Sequence, residues 1–401
     1  MSDALQNLRI VNFGWIWAGP VFGHLFADFG AEVIKVESNQ RLDYTRRLPP
    51  YLHDVPNQSL YGHNTYRNQL SISLELSTAR GQALARELVR QSDIVAENFQ
   101  PGTLQKLGLD YQELCKVKPD LIMISLSTAG QTGPLRDIVT LGSAMASLTG
   151  VDSLQGYLED GAPLPVGTAN SDPLSGVFGV IAVLAALRHR RLTGQGQYID
   201  MSQWEASTTL MSGPILDYTM NQRVWGVQDN LDMLMAPHNV YPCQGGDSWV
   251  SIAVGSEEEW QGLCRAMGEP GWRREERFAD AFNRLRHRRE LDSLIEVWTR
   301  QRTSWEAARA LQKEGVAAFP ALSTREVYED GHYAERECWV NVEHPHGRES
   351  IYGVHWKMSK SPGSVRQPAP LLGQHNDYVF CELLGLSQAQ SDELKAAKVI
   401  Y

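Results

Sequence analysis

The chain has 401 residues, is 42% hydrophobic and 21% charged, and sets 37 Lys plus Arg against 47 Asp plus Glu, a formal charge of -10. That length holds two domains, or one large domain with an insertion. The acidic balance argues against a dedicated nucleic-acid binder, which carries a basic face. Five cysteines without CxxC spacing argue against a disulfide framework or a structural zinc site, and read as reduced thiols in a cytoplasmic protein. The first residues lack a basic and apolar leader, and the apolar stretches break before the ~20 residues of a membrane span, so no membrane association is expected.

In chain order, Arg9–Phe13 reads as a buried strand, Val21–Phe29 as a helix stopped by Gly30, and Glu32–Glu37 as a second strand. This βαβ unit implies a parallel sheet. Its loop, Gly14-Trp-Ile-Trp-Ala-Gly-Pro20, is not GxGxxG, so the unit is Rossmann-like without the dinucleotide fingerprint. Arg41–Gln69 is polar and reads as irregular. Leu70–Leu76 alternates as a strand, Ser77 starts a helix through Arg90, and Asp93–Glu97 is a strand leading into Asn98-Phe-Gln-Pro-Gly102. Short helices end near Lys106 and cover Tyr111–Val117, before a strand at Leu121–Leu126.

Asp172-Pro173 then opens a long helix. Leu174, Val177, Phe178, Ile181, Leu184 and Ala185 recur at helical spacing. Arg188-His-Arg-Arg191 and Thr193-Gly-Gln-Gly-Gln197 end it, cations in the last turn and glycine just beyond. A strand at Tyr198–Met201 and a helix over Glu205–Val224 follow. From about 235 the texture changes to a hairpin (239–241 and 248–254), three helices between 257 and 314, and an Arg- and Glu-dense stretch at 273–290 read as a solvated face. Beyond Arg325 the chain is polar and turn-rich up to a last helix near 387–397. The fold class is therefore α/β, a Rossmann-like parallel-sheet domain with a small α+β domain. The expected boundaries are 1–205 for the large domain, 206–234 for a linker, 235–325 for the small domain, 326–370 for a return linker and 371–401 for a segment rejoining the large domain.

GxSxG, GxxxxGK[ST], HExxH and CxxC are all absent. His344-Pro-His346 offers two histidines without carboxylates in order and reads as a solvated turn, so no metal site is expected. Asp172 has two compatible readings. Asp before Pro is a favoured N-cap and N1 pair, worth ~1 kcal/mol. A carboxylate with an ordinary pKa near ~4 is also ionised at pH 7 without a general base, and is an adequate nucleophile toward a thioester. Helix N-terminal N–H groups and the backbone at Gly167 or Gly176 could then stabilise an oxyanion.

Several motifs occur in order along nearly the whole chain. They are Phe13 with Ala18-Gly19-Pro20 and Gly30-Ala-Glu-Val-Ile-Lys-Val-Glu37; Glu97-Asn98-Phe99 with Pro101-Gly102 and Leu107-Gly108; Asp172 with Gly176; Thr193-Gly-Gln-Gly-Gln197 with Asp200 and Glu205-Ala206; and Pro370-Leu-Leu-Gly-Gln-His375. Together they resemble the class III CoA-transferases, the formyl-CoA and carnitine CoA-transferase type. The resemblance implies transfer of CoA from an acyl-CoA to a free carboxylic acid through an aspartyl anhydride and an aspartyl-CoA thioester, with Asp172 as the nucleophile. It implies CoA thioesters as substrates with no permanently bound cofactor, and two chains interlocked as rings, either a homodimer or a heteromer with a related chain.

Carried over by position, the resemblance implies CoA contacts at Trp17, Ala18, Leu74, Asn98, Phe99 and Lys106, the last in place of an arginine. Ser38 and Ser77 stand where relatives carry Arg or Lys, which leaves Arg41 or Arg67 to hold the adenosine end. Trp15 and His238 are candidate substrate contacts. The glycine-rich loop of formyl-CoA transferases is missing between 235 and 250, which points away from oxalate. The Trp-rich first loop and overall resemblance favour succinyl-CoA as donor and a dicarboxylic or aromatic acid such as benzylsuccinate as acceptor. An α-methylacyl-CoA racemase shares most of these motifs, but 136–145 lacks the histidine that such an isomerase pairs with its aspartate.

Overall fold

Six short apolar segments pair into one parallel sheet. The computed structural model describes residues 3–52, 58–165 and 170–401, and these divide into two units. The first draws on 1–152, 165–224 and 334–401, the second on 153–164 and 225–333.

The first unit runs β1 (Arg9–Asn12), α1 (Ala18–Ala27), β2 (Glu32–Glu37), α2 (Leu60–Thr65), β3 (Leu70–Ser73), α3 (Ala79–Arg90), β4 (Ile94–Glu97), α4 (Thr103–Lys106), α5 (Tyr111–Val117), β5 (Ile122–Ser127) and α6 (Gly142–Thr149). The two-residue strands β6 (Gly156–Tyr157) and β7 (Ala162–Pro163) belong to the second unit. The first resumes with α7 (Ser171–Thr193), β8 (Gln197–Ser202), α8 (Gln203–Thr208) and α9 (Ser212–Asn221). Its sheet has the order β3-β2-β1-β4-β5-β8, and every pairing is parallel. The inner strands β4 and β5 are buried along their whole length because both faces are covered, while the edge strand β8 is only partly buried. Phe22, Phe26, Val183 and Ala186 of α1 and α7 pack on one face. Leu88, Leu114, Phe380 and Leu394 pack on the other. Each such side chain, fully buried, contributes about 1.5–3 kcal/mol.

The strand order reverses between β1 and β4. In an open parallel sheet that switch point splays the two following loops apart and leaves a crevice at the carboxyl ends of the strands. Those loops are Gly14–Trp17 and Asn98–Phe99, which fixes where a ligand site can form.

The second unit has a three-stranded antiparallel sheet, β9 (His238–Pro242), β10 (Trp249–Ala253) and β11 (Ala317–Pro320), in the order β11-β10-β9. Its core joins Tyr241, Ile252, Trp260, Leu263, Ile295 and Leu311.

Several expectations change. The stretch 41–69 is not all irregular, since it contains a 3-10 turn at Tyr44–Arg46 and α2. The stretch 205–224 is α8, a 3-10 turn and α9 rather than one helix. The Arg-rich 273–290 segment is not wholly solvated: Arg284 is 2% exposed, with its guanidinium 4.5 Å from the Trp260 ring centre and bonded to Glu257. The turn-rich stretch after 325 contains a hairpin, β12 (Trp339–His344) and β13 (Gly347–Tyr352). Finally, α7 is long and apolar enough, by length and composition, to cross a membrane, contrary to the expectation that every apolar stretch breaks first. Within the first unit it is the crossover helix between β5 and β8, and its small residues lie against α1 and the sheet.

Candidate functional site

The loop after β1 is held by side chains from three directions. Asn12 accepts the Gly14 N–H at 2.9 Å, and Lys35 Nζ donates to the Gly14 carbonyl at 2.7 Å. Asn98 clamps Trp15 on both sides, accepting its N–H at 2.7 Å and donating to its carbonyl at 2.8 Å. Asp43 accepts the Ile16 N–H at 3.0 Å and pairs with Lys35 at 3.1 Å, both charges fully buried. Ile16 has φ 63, a left-handed conformation that a β-branched side chain resists. The clamps from Asp43 and Asn98 are what hold it there.

Asp172 does not cap its helix. Helix α7 begins one residue earlier, at Ser171, with Asn170 in the cap position, and Asp172 lies inside the first turn. Its carboxylate instead accepts the backbone N–H of Ala18, the first residue of α1. Gly176 makes that meeting possible, because a Cβ there would lie 2.9 Å from Val21 and 3.2 Å from the Ala18 carbonyl. Gly176 is thus a contact point between helices rather than an oxyanion donor, and Gly167 lies outside the described residues.

Asp172 is 7% exposed, and burial pushes its carboxyl up to about 6, with only the Ala18 N–H pulling the other way. The ordinary value expected from local sequence is therefore corrected. The shift corresponds to about 3 kcal/mol against the anion. The charge is still mostly present at pH 7, and it is poorly solvated.

A cavity of about 420 Å³ in the first unit opens onto this carboxylate, with Trp17, Tyr44, Tyr61, Asn98 and Gln203 among its lining residues. Trp17 and Tyr61 pack at 5.5 Å between ring centres. Gln203 was not marked by any sequence pattern. Its amide nitrogen donates to the Leu126 carbonyl, and its amide oxygen is buried without a protein partner. The cavity therefore presents a nucleophile-type carboxylate, aromatic walls and one unused hydrogen-bond acceptor.

The other sequence candidates scatter around this point. Trp15 does not line the cavity. It meets Phe99 edge-on at 5.8 Å and carries the exposed Arg41 guanidinium 5.4 Å from its ring centre. The Phe99 N–H donates to Glu97 at 2.7 Å, and burial raises that carboxyl to about 7 against hydrogen bonds from Ser125 and Phe99. Leu74 is buried, with its N–H on the Glu37 carbonyl and a bridge to Ile400. Lys106 is exposed at the end of α4. Ser38 donates to Glu75. Arg67 is 2% exposed and committed to Asp28 through two nitrogens, which removes it as an adenosine contact. His238 belongs to the second unit, where its Nδ1 lies 2.6 Å from the Asn230 carbonyl.

Comparison with known proteins bears on this geometry. The model of the family described as CoA-transferase family III matches residues 5–376. A succinyl-CoA–D-citramalate CoA-transferase of Chloroflexus aurantiacus is 36% identical over 99% of this chain and 98% of its own. A succinate–glutarate CoA-transferase of Agrobacterium fabrum is 33% identical over 94% and 95%. The crystal structure of a CAIB/BAIF family protein from Brucella suis is 29% identical, with a TM-score of 0.88, and the match covers 96% of this chain and 100% of that one.

Proposed function

The chain belongs to CoA-transferase family III, and we propose that it moves CoA from succinyl-CoA to a second carboxylic acid with Asp172 as the covalent carrier. The observation that carries this reading is a buried carboxylate, poorly solvated and held by one N–H, at the mouth of an aromatic-walled cavity. An Asp172 oxygen attacks the thioester carbon, the C–S bond breaks, and CoA leaves as the thiolate. The thiolate attacks the aspartyl carbonyl of the resulting anhydride and releases succinate as its carboxylate. The acceptor carboxylate attacks the aspartyl-CoA thioester, and the returning thiolate takes the acceptor's acyl group and restores Asp172. No proton is gained or lost overall, so no general base is needed.

CoA is held by the first unit, at the Trp17–Ala18 turn, at the Asn98–Phe99 turn and by Lys106. The acceptor is a dicarboxylic acid with room for a bulky or aromatic substituent, benzylsuccinate being the example. Trp17, Tyr44 and Tyr61 on the cavity wall support that class. The free cysteines support a reducing, cytoplasmic setting. Two copies interlock as a homodimer.

Hydroxylamine or borohydride added during turnover with succinyl-CoA should leave a modified Asp172, read by peptide mass spectrometry. An unmodified Asp172 in an enzyme that is turning over would sink the carrier role. A panel of benzylsuccinate, citramalate, glutarate and malate as acceptors, followed by release of succinate, tests the substrate class; transfer to none of them would reject it.

A further inference from the structure

Gln203 lines the Asp172 cavity, and half of its side-chain amide has no partner inside the protein. We propose that Gln203 selects the acid that receives CoA. Its amide oxygen accepts a hydrogen bond from a hydroxyl of that acid, so a hydroxydicarboxylic acid is preferred over the same acid without the hydroxyl. The inference rests on the transfer reaction proposed above and narrows its acceptor class.

Gln203 stands where β8 passes into α8. Register pairs Ser202 with Ser127 at the ends of β8 and β5. Ser202 caps α8 by accepting the Glu205 N–H, and the Trp204 N–H donates to the Thr128 carbonyl at 2.9 Å. These contacts hold the first residue of α8 just beyond the carboxyl ends of the strands, where the crevice of a parallel sheet lies.

Chemistry fixes which way the amide points. Its nitrogen donates to the Leu126 carbonyl, a group that can only accept. The oxygen is therefore turned away from that carbonyl. It is buried without a partner, in a residue only 4% exposed. Ser207 stands four residues on, on the same face of α8, yet its hydroxyl is itself unpartnered and does not serve Gln203. Other polar groups of the cavity wall are committed. Asn98 spends both ends of its amide on Trp15, and the Thr45 hydroxyl donates to Asp43 at 3.1 Å.

A buried acceptor left unpaired penalises any ligand that sets an apolar or acceptor group against it. The Asp172 carboxylate and both carboxylates of a dicarboxylic acid only accept, so none of them satisfies Gln203. For the same reason the amide oxygen gives no help to an oxyanion. A hydroxyl on the chain of the acid is a donor, and a site built to bond a substrate hydroxyl discriminates strongly against the analogue that lacks it. The CoA amide N–H nearest the sulfur is a second possible donor, and the test separates the two.

The test measures transfer from succinyl-CoA to two pairs of acids, citramalate against methylsuccinate and 2-hydroxyglutarate against glutarate. In the unaltered enzyme, kcat/KM should favour the hydroxylated member of at least one pair by about tenfold or more. Gln203→Met and Gln203→Leu remove the acceptor and should bring that ratio to within about twofold of one. Each ratio is taken within one preparation, so a loss of folded protein leaves it unmoved. Gln203→Met nearly keeps the side-chain shape and remains informative if Gln203→Leu does not fold. Equal kcat/KM within both pairs for the unaltered enzyme, or a preference that survives in Gln203→Met, would overturn the proposal. So would an equal loss for all four acids with a raised KM for succinyl-CoA, which would assign the oxygen to the CoA amide. Transfer to none of the four acids by the unaltered enzyme would overturn the transfer reading along with it.

Discussion

At the scale of the residue, two forces act on Asp172 with opposite sign. The α1 N-terminus and the Ala18 N–H favour the anion, and burial opposes it more strongly, so the carboxyl sits at about 6. A raised carboxyl pKa costs stability wherever both folded and unfolded states are ionised, above pH 6. The cost shrinks as pH falls from 6 toward the unfolded value of about 4, and is gone below it. Asp172→Asn keeps an oxygen for the Ala18 N–H and removes the charge. It should therefore raise the urea midpoint at pH 8 by an amount equivalent to up to about 3 kcal/mol, and raise it little at pH 4. The same variant should lose at least about 10³-fold in CoA transfer. For the unaltered enzyme, kcat/KM should fall about tenfold per pH unit below about 6, as the nucleophile is protonated. A flat profile between pH 5 and 7 would show that another group limits the reaction. The sequence made Asp172 visible through the Asp-Pro start of a helix, but its solvation could not be read there. The Ala18 partner is 154 residues away in the chain, and only the packing of α7 on α1 brings the two together.

At the scale of the element, the first loop is only as well placed as the charges beneath it. Asp43 serves four donors: the Ile16 and Thr45 N–H groups, Lys35 and the Thr45 hydroxyl. Removing its charge leaves Lys35 buried without its carboxylate, a change that costs about 3–5 kcal/mol when complete. Asp43→Asn retains an acceptor for Ile16, so it should lower Tm and raise the KM for the acyl-CoA while kcat changes less. A loss confined to Tm would make Asp43 purely structural. Gly176→Ala acts on the other side of the site. Its methyl would press on Val21 and the Ala18 carbonyl, costing about 1–3 kcal/mol, and would shift Asp172 off the Ala18 N–H. Transfer activity in that variant should fall by about 10²-fold at unchanged acyl-CoA binding. The strands and the βαβ order were legible because short apolar runs such as Arg9–Phe13 and Leu121–Leu126, and the alternating Leu70–Leu76, stand between stretches of helical periodicity. The clamp was not, because Asp43 lies in a stretch that looks irregular when read alone. Gln203 was equally silent, since a glutamine after a strand carries no periodic or motif signal, and only its unpaired oxygen in the cavity marks it.

At the scale of the whole molecule, α7 carries a further consequence. It is long and apolar enough to cross a membrane, yet only 39% of its most apolar stretch is buried. Gly176, Gly179, Val183 and Ala186 face α1 and the sheet. Val177, Ile181 and Leu184, at helical spacing on another face, remain exposed, Ile181 by 59%. The α8–α9 stretch that follows exposes Leu210, Ile215, Leu216 and Met220 in turn. An apolar stripe on a crossover helix, continued by the next helical stretch, exceeds what scattered surface residues explain and calls for a cover. A second copy of the chain is the cover that fits the proposed homodimer, because a two-fold contact sets the same stripe against itself. The unaltered protein should therefore sediment at twice the chain mass. Ile181→Asp combined with Leu184→Asp places two like charges from each copy in that contact and should sediment as the monomer, with transfer activity lost as the concentration falls. Since neither residue lines the Asp172 cavity, a monomeric unaltered protein, or a double variant that stays dimeric and active, would assign the stripe to some other surface.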